Sequence, residues 1–416
     1  MRPASRSGRE RVVVTGLGVK TPAGNDIKTL WSTLVAGESA IAVIRRFDPS
    51  DLPVRFAGEV ADFDPGAYLG PKVVRQTDRT THLGFAAAVD ALTDADCVPA
   101  DPARCAVVVG TGMGGTASFY EQIRKLIEDG PARLSPRAVT MSMPNATSAQ
   151  IAMELGWRGP NLCLATGCTA GTQAIGEGAR LIREGAADLV LAGGAEAAVT
   201  PIAIAGFAQM GALSTRNDQP ERASRPFDAL RDGFVLGEGA AFTLLESLDR
   251  AMARGARIYG EIAGYGRNCD AYHVTVPDPQ GNGAVACMRL ALDDAGLDPS
   301  MIGHINAHGT STPLNDSVEA KAICMVFGSR TPPVTSTKGA IGHLMGAAGA
   351  VEAVASLVAL GHGVVPPVTN LTQPDAELHI DVVAHTPRTG CHGSVLTNSF
   401  GFGGQNASLV LSLVDD

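Results

Sequence analysis

The chain has 416 residues, 45% hydrophobic and 18% charged, a balance that supports a large buried core and excludes disorder. Its net charge of −9 argues against a nucleic-acid-binding surface as its main business, while leaving room for a local basic patch facing an acidic partner. None of its eight cysteines (Cys97, Cys105, Cys163, Cys168, Cys269, Cys287, Cys324, Cys391) forms a C-x-x-C pair, which reads as reduced thiols in a cytoplasmic protein rather than a disulfide frame or zinc site.

The basic N-terminus MRPASRSGRE passes directly into RVVVTGLGV, too short and too glycine-interrupted for a signal-peptide core. No run approaches the ~18 consecutive apolar residues of a membrane span, so no membrane is expected. The stretch 11–19 predicts a strand ending in a glycine turn, and DIKTLWSTLVAG (26–37) predicts a helix stopped by Gly37. CAVVVGTGMGG (105–115) predicts another strand and glycine turn. NLCLATG predicts a strand that runs into the helical pattern TAGTQAIGEGARLI, with Cys168 at the corner. Strands follow at 188–196 and 239–247, separated by an irregular surface excursion over 197–238 that packs back on the body as a lid or docking surface. Beyond residue 255 the order repeats: a strand at 257–266, another at 301–310, a Gly/Ala-rich helix at 342–360 and a closing hairpin at 394–413. The expectation is a duplicated α/β layered fold with halves 1–255 and 256–416.

Four loops carry chemistry-bearing residues. Cys168 sits among small neighbours at a helix N-terminus, where the dipole and free N–H groups favour a thiolate and lower its pKa. Cys105 and Cys163, inside apolar strands, read as structural thiols. NAHGTSTPLND (306–316) holds His308, and STKGAIGHLMGAAGAVE (336–352) holds Lys338 and His343. Cys168 with two histidines has no obvious fourth ligand, so no metal is expected. NSFGFGGQN (398–406) has glycines that let backbone N–H groups turn inward as an oxyanion hole with the amide of Cys168. GTGMGG (110–115) lacks the G-x-G-x-x-G spacing and the Lys-Ser/Thr of a P-loop, so it is a weak phosphate cradle.

Taken together, these four loops, with VVVTGLG and SRPFDALRDGFVLGEGA, resemble the β-ketoacyl-acyl-carrier-protein synthases, condensing enzymes of the thiolase superfamily. The resemblance spans nearly the whole chain and covers both the elongating synthase of fatty acid synthesis and the ketosynthase subunit of type II polyketide synthases. It implies a thiolase-like, duplicated five-layer αβαβα fold and a dimer. Cys168 would take an acyl group as a thioester. His308 and His343 would promote decarboxylation of a malonyl thioester and stabilise the enolate. The N–H groups of Cys168 and Phe402 would hold the oxyanion. Lys338 would orient the histidine loop, with Glu352 as its ionic partner. Thr310 and Thr312 would hydrogen-bond a phosphopantetheine arm that arrives on the acyl carrier protein, so no resident cofactor is implied. Phe400 and Phe402 would gate the pocket.

The C-terminal glycine loop lacks the second cysteine of a thiolase, and the presence of Cys168 separates the chain from a non-catalytic chain-length factor. TGCTAG is nearer the polyketide style, whereas NAHGTSTPLND and NSFGFGGQN look like the fatty acid form. Met113 would gate the acyl pocket, and Ala138, where an aromatic is frequent, would deepen it or suit a rigid or polyene chain. Lys72, Arg75 and Arg216 would form a basic rim that docks the acidic carrier, while Arg79 reads as solvated charge. The second subunit would be an identical chain or a chain-length-factor-like paralogue.

Overall fold

In the computed structural model, residues 9–390 and 392–414 are described; Cys391 lies outside the described residues. Ten of the described strands form the main sheet framework: β1 (Val12–Lys20), β2 (Cys105–Gly110), β3 (Asn161–Leu164), β4 (Leu189–Glu196), β5 (Gly239–Ser247), β6 (Gly260–Cys269), β7 (Ile302–Asn306), β8 (Val334–Thr335), β9 (Ser394–Gly401) and β10 (Gln405–Ser412). Most are runs of Val, Ile, Leu, Ala and Gly, and β1, β2 and β4 are buried along their whole length, as expected of strands covered on both faces.

The hydrogen-bonded order is β8-β7-β9-β10-β6-β1-β5-β4-β2-β3. The junction between β6 and β1 is slight, only Val13 opposite Glu261 and Val14 opposite Gly260. It divides the framework into two sets of five strands. Numbered within each half, both sets read first, fifth, fourth, second, third. The duplication that is faint in the residues is complete in the topology.

Six helices complete the layers: α1 (Arg79–Asp94), α2 (Thr116–Asp129), α3 (Ala170–Arg183), α4 (Asn282–Ala295), α5 (Pro313–Phe327) and α6 (Ala348–His362). α1 packs on β1, β5 and β4, and α4 packs on β6 and β10, with α5 beside it. α3 and α6 lie between the two sheets and against each other. The result is the five-layer helix, sheet, helix, sheet, helix arrangement of the thiolase-like fold. The stretch Met345–His362 is long and apolar enough to cross a membrane by length and composition alone. It is buried at the centre of the molecule, where Val351, Val354 and Leu357 pack in the same core as Val12, Val14 and Leu245. Burying each such side chain contributes ~1.5–3 kcal/mol.

Close approach of the two central helices depends on small residues. A Cβ on Gly171 would lie 2.7 Å from the Ala350 nitrogen, and one on Gly349 only 1.9 Å from Thr172 Oγ1. The segment 197–238 packs back on the body but is less of a surface feature than its composition predicts. It contains a helix, Pro201–Gln209, and buries Leu213, Phe227 and Phe234. Ion pairs from Arg231 to Asp375 and Asp316 hold its second half down.

Candidate active site

Cys168 stands in a one-turn 3-10 segment, Gly167–Thr169, between β3 and α3. The corner is sharp because Gly167 adopts φ +59, a left-handed conformation that glycine reaches without strain. The thiol is 5% exposed. Burial pushes its pKa up to about 11, against the Lys338 charge and a hydrogen bond donated by the Phe402 backbone N–H. This corrects the expectation of a lowered pKa: desolvation of the thiolate outweighs those two favourable influences. Cys105 and Cys163 are likewise pushed up to about 11 by burial, in keeping with structural thiols.

β7 delivers His308, and the loop after it is fastened by a carboxylate. Glu319 on α5 accepts the N–H groups of His308 and Gly309, both at 2.8 Å. Thr312 caps α5 by accepting from Asn315 N–H, and its hydroxyl lies 2.9 Å from that of Thr310. His343 is held from the other side by the 197–238 segment. Its N–H donates to the Val235 carbonyl at 2.7 Å, and its carbonyl accepts from Gly237 N–H at 2.9 Å.

The two imidazole tautomers follow from their partners. Met345 N–H donates to His343 Nδ1 at 3.2 Å, so that nitrogen carries no proton. Lys338 Nζ lies 3.3 Å from His308 Nδ1, and an ammonium can only donate. Both rings therefore carry their proton on Nε2. Burial, with help from the Lys338 charge, holds both well below the ordinary histidine range, so both are neutral donors. Their centroids are 5.3 Å apart, with Phe400 at 6.1 Å from His308 and Phe234 at 5.4 Å from His343.

Lys338 is 1% exposed and spends all three of its donors internally. Nζ donates to the His308 carbonyl at 2.6 Å, faces His308 Nδ1, and pairs with the Glu352 carboxylate on α6. Burial pushes the Glu352 carboxyl up, and the adjacent ammonium works against that shift.

A cavity of about 420 Å³ joins these groups. Cys168, His308, His343, Thr310, Thr312, Phe400 and Phe402 all line it. The backbone of the C-terminal glycine loop lies against the nucleophile: a Cβ on Gly401 would sit 3.2 Å from the Cys168 nitrogen. That loop is tied to the segment 270–277 over the cavity by Asn406 to Asp270, 2.7 Å, and Gly403 N–H to the Val274 carbonyl, 2.7 Å.

The remaining predicted residues are distributed differently. Met113 does not line the cavity but packs in the apolar cluster that contains Cys168. Ala138 opens a short helix, Ala138–Ser142, that packs on α2 and is not among the residues lining the cavity. Arg216 pairs at 3.6 Å with Asp232, which does line the cavity. Lys72 and Arg75 are exposed on and just after the helix Pro71–Val74, which does not contribute to the cavity wall. Arg79 is not solvated charge: it grips the fully buried Glu238, which Arg46 also pairs with. Sequence reasoning passed over Glu319 and Phe234. The helical position of Glu319, seven residues beyond the Thr312 cap, was the available signal.

A thiol that shares one cavity with two neutral imidazole donors, with a backbone N–H donated to it by Phe402, suits covalent acyl transfer through a thioester. The two imidazole donors suit the stabilisation of an enolate. Comparison with known families agrees with that class. The β-ketoacyl synthase N-terminal domain family matches residues 9–251, and the β-ketoacyl synthase C-terminal domain family matches residues 259–372. The chain belongs to the β-ketoacyl synthase family. It is 46% identical to a 3-oxoacyl-[acyl-carrier-protein] synthase 2 of Synechocystis sp., over 96% of this chain and 97% of that protein. Its fold superposes on the ishigamide ketosynthase/chain length factor with a TM-score of 0.92 at 37% identity, covering 98% of this chain and 100% of the other. A type II polyketide synthase acyl-carrier protein in complex with its ketosynthase bound to the hexaketide gives a TM-score of 0.89 at 31% identity, with coverage of 98% and 100%. The protein is an acyl-transferring condensing enzyme. It joins an acyl chain to malonyl-acyl carrier protein, with loss of CO2, to give β-ketoacyl-acyl carrier protein in chain elongation.

Proposed function

We propose that Cys168 carries the acyl chain and that His308 and His343 act on the malonyl thioester. The observation that supports this most is the pair of Nε2–H tautomers fixed from behind by Lys338 and Met345. The Cys168 thiol attacks the acyl thioester, and its proton leaves on the departing pantetheine thiol, so transfer is proton-neutral. Loss of CO2 from the malonyl group then puts an electron pair on its α-carbon, with charge on the enolate oxygen facing the two imidazoles. That carbon attacks the acyl carbonyl. The Cys168 and Phe402 N–H groups receive the oxyanion, and collapse releases Cys168 as a thiolate, which takes up one proton from solvent to restore the thiol. Thr310 and Thr312 hydrogen-bond the phosphopantetheine arm within the cavity, Phe400 and Phe402 gate it, and no resident cofactor or metal takes part.

This division of labour has a direct test. His308→Ala and His343→Ala are expected to keep acylation of Cys168, read by intact mass, within a few-fold. Each should lower condensation by roughly 10²–10³-fold through loss of a donor to the developing oxyanion. Loss of acylation to the same extent as condensation would overturn the assignment.

The enzyme works as a cytoplasmic dimer. Helix α2 leaves Phe119, Ile123, Leu126 and Ile127 exposed, Val139 on the helix beside it is also exposed, and the sheet ends at β3 with Leu162 uncovered. A contiguous apolar face and an open strand edge suit a second subunit of the same architecture. The first reading is an identical subunit and fatty acid elongation, the elongation supported by identity to the 3-oxoacyl-[acyl-carrier-protein] synthase 2. The second reading is a paralogous partner and a polyketide or polyene product; the likeness to the ishigamide ketosynthase/chain length factor supports the partner, and the likeness to a type II polyketide synthase ketosynthase supports a polyketide. Elongation by the purified chain alone supports the first; elongation only after a second subunit is added supports the other.

Arg216 at the mouth, together with Lys72 and Arg75, docks the acidic carrier. Reversing charge at Lys72 and Arg75 is expected to raise KM several-fold for carrier-bound substrate and leave KM for small thioesters unchanged. Equal effects on both substrates would sink the docking role.

A further inference from the structure

Most fully buried carboxylates among the described residues face a cation. Glu238 meets Arg46 and Arg79, Glu246 meets Arg250 and Arg254, and Glu352 meets Lys338. Glu196, at the end of β4 and 0% exposed, is held instead by neutral donors. It accepts from Gly112 N–H at 2.5 Å, Met113 N–H at 3.2 Å, Gly346 N–H at 3.1 Å and the Thr111 hydroxyl at 3.2 Å. Burial pushes its carboxyl up to about 7 while those donors pull the other way.

A buried carboxylate without a counter-cation is a poor contributor to stability. Its donors come from two loops more than two hundred residues apart in sequence. One is the GTGMGG turn, which carries Met113 into the apolar cluster around Cys168. The other follows His343 and carries Met345, which lines the cavity. The two backbones touch across the carboxylate: a Cβ on Gly346 would lie 2.2 Å from the Gly112 nitrogen. The Thr111 hydroxyl extends the network by accepting from Gly114 N–H at 3.1 Å.

We propose that Glu196 is a positioning residue that locks the Met113 loop to the His343 loop, and that this lock sets which acyl chain lengths Cys168 accepts. It rests on the reading of Cys168 as acyl carrier and of Met113 as gate of the acyl pocket, standing outside the open cavity but packed in the apolar cluster beside Cys168. An ionised carboxylate can accept from all four donors at once. An amide in its place turns one acceptor into a donor that opposes an N–H, which frees one loop from the other. Freeing the Met113 loop changes the room beside Cys168 for a long chain more than for a short one.

The test compares acylation rates of Cys168, by intact mass, with butanoyl- and dodecanoyl-acyl carrier protein as donors, for the full-length wild type and Glu196→Gln. The expected result is a change in the dodecanoyl-to-butanoyl rate ratio of about tenfold, the size of a lost hydrogen bond to a charged group. Thr111→Val removes one neutral donor and is expected to shift the same ratio in the same direction by a smaller factor, so a poorly folding Glu196→Gln does not spare the proposal. Equal loss with both donors in both variants marks a purely structural carboxylate and overturns it. Failure of the wild type to acylate with either donor would overturn the Cys168 assignment, and this proposal with it. Wild-type acylation with an unchanged ratio in both variants overturns the Glu196 proposal alone.

Discussion

Cys168→Ala is expected to abolish condensation, with kcat falling by roughly 10⁴-fold or more, because no other group in the cavity can carry the acyl chain between the two half-reactions. The fold should survive. The side chain lost is small, and alanine suits the 3-10 turn that Gly167 sets up, so the expected cost is about 1 kcal/mol. The covalent step gives the test its edge. Wild-type protein incubated with acyl carrier protein should gain the mass of one acyl group, and the variant should gain none. Decarboxylation of malonyl-acyl carrier protein should persist in the variant, since His308 and His343 keep their Nε2–H donors. A variant that still condenses at more than a hundredth of the wild-type rate would show that the acyl group is carried elsewhere.

Lys338→Met should have the second-largest effect, on stability and activity together. Its ammonium is the counter-charge of Glu352, whose second oxygen already has no partner, and both side chains are 1% exposed. Removing one member of a buried pair costs about 3–5 kcal/mol, because the other charge stays behind unpaired. The melting temperature should therefore fall clearly. Activity should fall for a separate reason. With Lys338 gone, His308 Nδ1 loses the donor that keeps it unprotonated, and the ring is free to place its proton there and withdraw the Nε2–H from the cavity. The loss of one oxyanion donor corresponds to roughly 10²–10³-fold in kcat. The double variant Lys338→Met with Glu352→Leu separates the two effects. Two apolar side chains of similar volume should recover much of the melting temperature, whereas condensation should stay low. Recovery of activity along with stability would mean that Lys338 acts through folding alone.

Much of this was legible in the chain. Strands at 188–196 and 239–247 and the helix stopped by Gly37 follow from hydrophobic periodicity and capping, which are local properties of the backbone and its neighbours. The Cys168 corner was legible too, because only a glycine takes φ +59 without strain and the small residues after it are those a buried helix needs. The second sheet was legible as an order of elements, though its residues echo the first half only faintly. Strand order is set by chain topology and burial, and many residue choices satisfy the same pattern.

Other features were decided by tertiary structure. The composition around Cys168 points to a lowered pKa through the helix N-terminus, yet the folded chain surrounds the sulfur and raises it. Desolvation depends on every layer that covers a group and has no local signature. Arg79 looked solvated until the fold brought Glu238, 159 residues away, against it. The proton positions of His308 and His343 were set by donors that loop geometry aims at their Nδ1 atoms. What the sequence determined by itself was the order of elements and the loops that bring Cys168, His308 and His343 to one cavity. Tertiary structure decided charge state, tautomer and pairing, because these depend on distance through space and exclusion of water, which arise only once the two halves close around the two central helices.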